Sequence, residues 1–220
     1  MYASTHSDLV SQPFRNQTIH YMEKLKSLNS LFISQKREWL EILTSFECKN
    51  KYVILDENKE KLYYAAEKGG SALSRFFLNM MRPFTIEVLD ADNQVILSVK
   101  RPFRFFLQEI KVFDHKNEVL GSIKECWIFK QRTFSVLDNN NNEIFQLCGP
   151  YLKPWTFFIK NNDVEYGKIT KEWGGVAKEW YTDADTFRLM FPNEWDIKLK
   201  ALFLGAAFLI DFRFFEMNIN

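Results

Sequence analysis

Residues 84–99 read FTIEVLDADNQVILSV, with apolar and polar side chains alternating on both sides of the polar stretch from Asp90 to Asn93. Alternation with period two places every second side chain on one face of a strand, and an Asp/Asn-rich break turns the chain back, so the stretch predicts a β-hairpin. Four further segments share the design: KYVILDENKEKLYYAAE from Lys51, QEIKVFDHKNEVLGSI from Gln108, TFSVLDNNNNEIFQL from Thr133 and TFFIKNNDVEYGKI from Thr156. The turn aspartates Asp90, Asp114 and Asp138 recur at intervals of 24 residues. A sixth pair, TFRLMF from Thr186 and WDIKL from Trp195, brings the expected total to about twelve strands. So many hairpins in succession predict an antiparallel sheet closed into a barrel, because closure removes unpaired edges. An open sandwich is the alternative.

Two regions depart from this pattern. Residues 17–47 place Ile19, Met22, Leu25, Leu28 and Phe32 at helical spacing, with Leu40, Leu43 and Phe46 beyond them. Residues 1–47 are therefore expected to form a disordered start, to about Asn16, and a helical preface, leaving 48–220 as the barrel domain. Near the other end, ALFLGAAFLI provides ten uncharged residues, followed by Asp211 and Arg213. A membrane span needs about twenty apolar residues, and Ala and Leu without β-branching favour helix. The expectation is a central helix at about 197–215, with Leu202, Leu204, Gly205, Phe208, Ile210, Asp211 and Phe215 sheathed by strands. A membrane span is the alternative.

Composition narrows the function. The 29 Lys and Arg nearly balance the 28 Asp and Glu, so no global field favours nucleic acid, and any basic patch is local. The three cysteines, Cys48, Cys126 and Cys148, have neither the count nor the spacing of a disulfide framework or a zinc site, and a reducing compartment is expected. The first residues lack a secretory pattern, Tyr2 excludes N-myristoylation, and FEMNIN is no prenylation box. His6, His20 and His115 stand apart from any nucleophile or metal constellation, and surface placement is expected for them. The Gly69-Gly70 and Gly174-Gly175 pairs lack the context of phosphate loops. No enzyme site is predicted.

Several motifs resemble those of the phospholipid scramblases: NKYVI, YYAAE, RPFTIEVLD, KRPFRFFLQEI, GKITKEWGGVAKE, TDADTFRLMFPNEWDIKLKA and, longest of all, LGAAFLIDFRFFE. The resemblance runs from about residue 40 to 216. It implies the tubby-like fold, a twelve-stranded barrel around a central helix. It also implies calcium-activated, ATP-independent, two-way movement of phospholipids between leaflets, mostly at the plasma membrane and from its cytoplasmic face. A phospholipid membrane is then the expected partner, with no other small-molecule substrate. The proline-rich extension that some relatives use for signalling partners has no counterpart in residues 1–47, nor do the palmitoylated cysteine clusters in SRFFLNMM, FRFF and GPYLKPW. The stretch matching a nuclear import signal, GKITKEWGGV, holds two lysines and is a weak signal.

In an up-and-down meander the hairpin turns lie at one barrel end and the connections between hairpins at the other. The turns DENK, DADN, DHKN and DNNNN are polar, whereas the connections KRPFRFF, CWIFKQR and GPYLKP are aromatic with interspersed cations. GGSALSRFFLNMMRP and WGGVAKEW, the latter with Trp173 and Trp180, extend that set. Aromatic rings beside Lys and Arg suit a lipid headgroup boundary. Phe103, Phe105 and Phe106 are expected to insert where a relative's acylated loop aligns, Arg101 and Arg104 to meet lipid phosphates, and Trp127 and Trp155 to sit at the boundary. The alternative is that these rings cap the barrel. The resemblance also assigns residues 183–194, DADTFRLMFPNE, to calcium. Asp183, Asp185 and Glu194 stand at places one, three and twelve, but Phe187 takes the fifth place and Arg188 the position of the turn glycine. An acidic turn leading into a strand is the competing reading, as is a lipid-docking module without transport for the whole chain.

Overall fold

A computed structural model of the chain describes residues 22–35, 50–68, 83–172 and 186–215. The repeated aspartates build the turns that drive the meander. In each of four hairpins an Asp side chain accepts a hydrogen bond from the backbone N–H four residues on: Asp56 from Glu60, Asp90 from Gln94, Asp114 from Glu118 and Asp138 from Asn142. The fourth turn residue is left-handed, with φ of 66° at Lys59, 59° at Asn93, 63° at Asn117 and 65° at Asn141. Asparagine tolerates that conformation, so the spacing Asp-x-x-Asn encodes a tight reversal. Each such hairpin also shifts register by one residue just before its turn, for example between Val88 and Leu89. The fifth turn is shorter, with two left-handed residues, Asn162 and Asp163, at 47° and 66°.

The strands are β1 (Ser30–Ser34), β2 (Lys51–Leu55), β3 (Lys61–Glu67), β4 (Phe84–Leu89), β5 (Val95–Arg101), β6 (Glu109–Asp114), β7 (Val119–Cys126), β8 (Gln131–Asp138), β9 (Glu143–Pro150), β10 (Thr156–Asn161), β11 (Val164–Glu172) and β12 (Thr186–Met190). Neighbours in sequence are neighbours in the sheet, all antiparallel, and β1 pairs with β12 to close the barrel. The closed, mainly β architecture and its twelve strands are as expected, but one strand is a different one. WDIKL is not a strand: Asp196 accepts a hydrogen bond from Leu199 N at 2.7 Å and caps helix α1 (Ile197–Phe214). The missing strand comes from the supposed preface. Met22, Leu25 and Leu28 lie in or beside a 3-10 turn (Glu23–Leu25), Phe32 lies in β1, and the barrel therefore begins at Ser30 instead of residue 48. Ile19, Leu40, Leu43, Phe46 and residues 1–16 lie outside the described residues.

Helix α1 fills the lumen. Leu202, Leu204, Phe208 and Ile210 are almost fully buried, as is Phe215 just beyond the helix. Gly205 lets the helix approach the wall, since a Cβ there would lie 2.7 Å from Val112 Cγ2. The two buried charges on α1 are satisfied. Asp211 accepts from Tyr52 Oη at 2.8 Å and Gln35 Nε2 at 3.4 Å. Lys200 Nζ donates to the carbonyls of Leu25, Lys26, Leu28 and Asn193 at 2.8–3.1 Å, tying the lead-in of β1 to the helix. Burial nevertheless holds the Lys200 ammonium below the usual lysine range, with Glu194 and Asp196 pulling it back up. No helix among the described residues is long and apolar enough to cross a membrane.

Candidate functional site

The helix runs from the turn end of the barrel to the connection end. Trp195, ahead of it, stacks on Phe203 and packs tilted against Phe145, whereas Phe214 at its close meets Phe134 and Phe157. The connection end carries three fully described segments, 102–108, 127–130 and 151–155. Each follows a strand whose inward side chains anchor it.

Polar groups beneath the first segment fix its shape. Gln108 accepts from Arg101 and donates from Nε2 to the Phe106 carbonyl at 2.8 Å, while its backbone N–H reaches Glu125 at 3.0 Å. Glu125 in turn pairs with Arg213 of α1 at 3.1 Å. Arg132 pins the third segment by donating to the carbonyls of Gly149 and Pro154 at 3.2 and 2.8 Å, with its guanidinium 4.5 Å from the Phe157 ring. With their polar groups tied inward, the segments present apolar side chains outward.

Ten of the fourteen exposed large apolar side chains among the described residues lie on these segments. The first contributes Phe103, Phe105, Phe106 and Leu107, the second Trp127, Ile128 and Phe129, the third Tyr151, Leu152 and Trp155. Phe106, Phe129 and Leu152 are 83%, 84% and 97% exposed. Scattered apolar residues are ordinary on a protein surface, but a set concentrated at one end marks an interaction surface. A groove of about 380 Å³ opens between the first two segments, with Phe105, Phe106, Trp127 and Phe129 in its walls and Glu125, Arg132 and Arg213 among its lining. Its walls are largely apolar, with three charged side chains in the lining.

The expected contact residues divide. Phe105, Phe106 and Trp127 stand in solvent; Phe103 is 40% exposed with its ring edge-on to Phe105 at 4.9 Å, and Arg104 is exposed and ion-paired to Glu109. Trp155, at 36% exposure, packs its ring against Phe215 with centroids 5.3 Å apart and so partly caps the barrel. Arg101 is not at the surface. It is 2% exposed, points into the lumen and lies 4.3 Å from the Phe212 ring. Its place in β5 decides this, because Leu97, Val99 and Arg101 share the inward phase. Phe129 and Leu152 were missed as individual residues, although the aromatic connections CWIFKQR and GPYLKP signalled their segments. Trp173, Trp180 and residues 69–82 lie outside the described residues.

The stretch assigned to calcium is not a single loop, because its residues from Thr186 to Met190 form β12. Asp183 and Asp185 lie outside the described residues, but Asp185 is bonded to Thr186, where β12 begins. From Thr186 to Met190 the chain is extended and paired on both edges, a span of roughly 13 Å. Glu194 follows the far end, whereas calcium ligands must converge at about 2.3–2.6 Å. Phe187 and Leu189 are buried, as the strand reading requires. No group of three metal-ligating side chains occurs among the described residues. His115 sits in the β6–β7 turn, half-buried, and the free thiols of Cys126 and Cys148 are partly and fully buried; burial pushes that of Cys148 up.

Comparison with known proteins assigns the family. A family model described as Scramblase matches residues 10–217. The chain belongs to the scramblase family. It is 34% identical over 211 residues to phospholipid scramblase 2 of Bos taurus, covering 90% of this chain and 72% of that one. It is 34% identical to phospholipid scramblase 1 of Homo sapiens, covering 89% and 65%, and 28% identical to human phospholipid scramblase family member 5, covering 90% and 78%. The chain thus spans about two thirds of the length of several scramblases that it matches. Among solved structures, an X-ray structure of a protein from Arabidopsis thaliana aligns over 86% of this chain and 95% of its own, at 12% identity and a TM-score of 0.48.

Proposed function

We propose that this scramblase-family chain promotes two-way, ATP-independent movement of phospholipids between leaflets, from the cytoplasmic face of a membrane, the plasma membrane in the first instance. The activity is lipid transport, without covalent catalysis. The observation that carries the reading is the one-sided rim, ten apolar side chains around an ionic groove at the end where α1 emerges. Such a surface can hold a headgroup beside Glu125, Arg132 and Arg213 while acyl chains lie along the phenylalanines. Family membership supports the same reading.

Calcium stimulation is proposed through Asp183 and Asp185 alone, since Glu194 lies beyond the paired strand. The test is reconstitution into vesicles carrying a labelled phospholipid, without ATP, with and without calcium. Exchange of label between leaflets is expected, with the calcium increment lost in Asp183→Ala, Asp185→Ala and kept in Glu194→Ala. Binding without exchange sinks the transport reading.

That second outcome defines the alternative, a lipid-docking module that recruits partners. It is favoured by one feature: α1 occupies the lumen, so the barrel formed by the described residues has no open path along its axis.

A further inference from the structure

The rim groove contains a polar atom that the protein leaves without a partner. Thr133 of β8 lines the groove and is 1% exposed, and its hydroxyl makes no hydrogen bond. A buried hydroxyl left unbonded costs free energy, which an acceptor entering the groove recovers. The charges of the lining are unbalanced as well. Glu125, the only carboxylate among its described lining, is engaged by Arg213 and by the Gln108 backbone N–H. Arg132 donates to the backbone carbonyls of Gly149, Pro150, Lys153 and Pro154, and no carboxylate lies within ion-pairing distance of it among the described residues. Neutral carbonyls leave its positive charge uncompensated, and the groove therefore attracts an anion.

Rings beside that charge suit a cation. Trp127 and Phe129 are 70% and 84% exposed, with centroids 6.0 Å apart and planes 84° apart, so two ring faces meet in a corner at the groove wall. Aromatic faces attract cations, and clustered rings are the usual receptor for a quaternary ammonium. A primary ammonium has its own donors to satisfy and finds the carboxylate of the groove already engaged. Cys126 and Thr133 are paired residues of β7 and β8, so Trp127 is bonded to the residue opposite the unpartnered hydroxyl. Paired residues lie about 4.5–5.5 Å apart, which puts the corner and the donor within reach of one headgroup.

We infer that the groove selects lipids with a phosphocholine headgroup: the quaternary ammonium occupies the Trp127–Phe129 corner, and the phosphodiester lies toward Arg132 and accepts from the Thr133 hydroxyl. Phosphocholine carries both charges in one short chain, so it complements the ring corner and the uncompensated guanidinium together. Phe105 and Phe106 in the other wall remain for the acyl chains. The inference deepens the function proposed above by naming the lipid that its groove takes, and rests on that groove meeting lipid. Binding of a soluble headgroup requires neither a bilayer nor transport, so the two readings fail separately.

Ligand-observed NMR titration of the full chain with glycerophosphocholine and with glycerophosphoethanolamine tests it. The choline compound is expected to bind about tenfold more tightly. Trp127→Leu and Phe129→Leu keep an apolar wall and remove the ring faces, so each reduces that preference, whereas Phe129→Tyr retains it. Thr133→Val weakens both compounds alike, and because the hydroxyl it removes is unbonded, the variant melts no lower than the parent. Both rings are exposed, so the leucine variants also keep the parent melting temperature, and lost selectivity is not lost folding. Equal affinity for the two compounds overturns the inference, as does a preference unchanged in both leucine variants or no binding of either compound. A trimethyllysine peptide that displaces glycerophosphocholine at equal strength overturns the lipid source and assigns the corner to a protein partner. Choline selectivity without leaflet exchange in vesicles upholds this inference and sinks transport alone.

Discussion

Lys59 occupies a position that three sister turns give to asparagine. At φ 66° it holds a left-handed conformation without the side chain best suited to it, and its ammonium lies 2.7 Å from the centroid of the Phe32 ring. Burial lowers its pKa to about 8 from 10.5, against the pull of Glu172 and Asp56 and with the help of Arg188. The folded state therefore releases the proton before the unfolded chain does. Between about 8 and 10.5 the unfolded state binds more protons, so stability rises with pH across that window. Urea unfolding at about pH 7.5 and about pH 10 should show the parent gaining on a Lys59→Asn variant at the higher pH. A constant difference between the two would show that Lys59 titrates alike in both states. At this same scale Arg101 was readable. Counting by twos from Leu97 reaches it, but the neighbouring KRPFRFF draws the eye to charge and aromaticity, which do not report phase.

Elements were legible where one face was buried and the other wet. The five hairpins alternate, four of them with Asp-led turns and the fifth with an Asn-Asp turn, so both their existence and their direction followed from the sequence. Strand β1 did not alternate, because all five of its residues are buried, and a strand covered on both faces has no period to read. The start of α1 failed for the opposite reason: Trp195, Ile197 and Leu199 alternate by chance over the first turn of the helix, although Asp196 was a recognisable cap. The rim was legible as composition and not as geometry, since a loop's side chains point where its anchors send them. Phe105 and Phe106 are 65% and 83% exposed. Full burial of a phenylalanine contributes about 1.5–3 kcal/mol, so placing both in a membrane interface should strengthen binding by at least tenfold. Phe105→Ser, Phe106→Ser should lose about that factor in flotation with neutral vesicles while its melting temperature stays within about 2 °C of the parent. Undiminished flotation would transfer the membrane contact to the other two segments.

For the whole molecule, closure depends on the short strand that sequence periodicity hid. Between β2 and β12 stands only β1, and its lead-in supplies three of the four carbonyls that receive Lys200. Leu25, Leu31 and Ile33 are each at most 1% exposed. At about 1.5–3 kcal/mol apiece their burial is worth roughly 5–9 kcal/mol, a sum comparable with the 5–15 kcal/mol stability of an ordinary domain. Deleting residues 1–35 also leaves two unpaired sheet edges. The shortened chain should elute as oligomers and lose its near-ultraviolet circular dichroism; a monomeric, cooperatively unfolding product would mean that β2 and β12 can pair directly.

The lumen is filled by a helix that follows all twelve described strands. On the ribosome, β1 therefore emerges well before the plug that will cover its inner face, and at about 5–20 residues per second the interval is roughly 10–40 s. Throughout that time the nascent strands have no core of their own to close around, which makes this fold a natural client for the chaperones that hold unfinished chains.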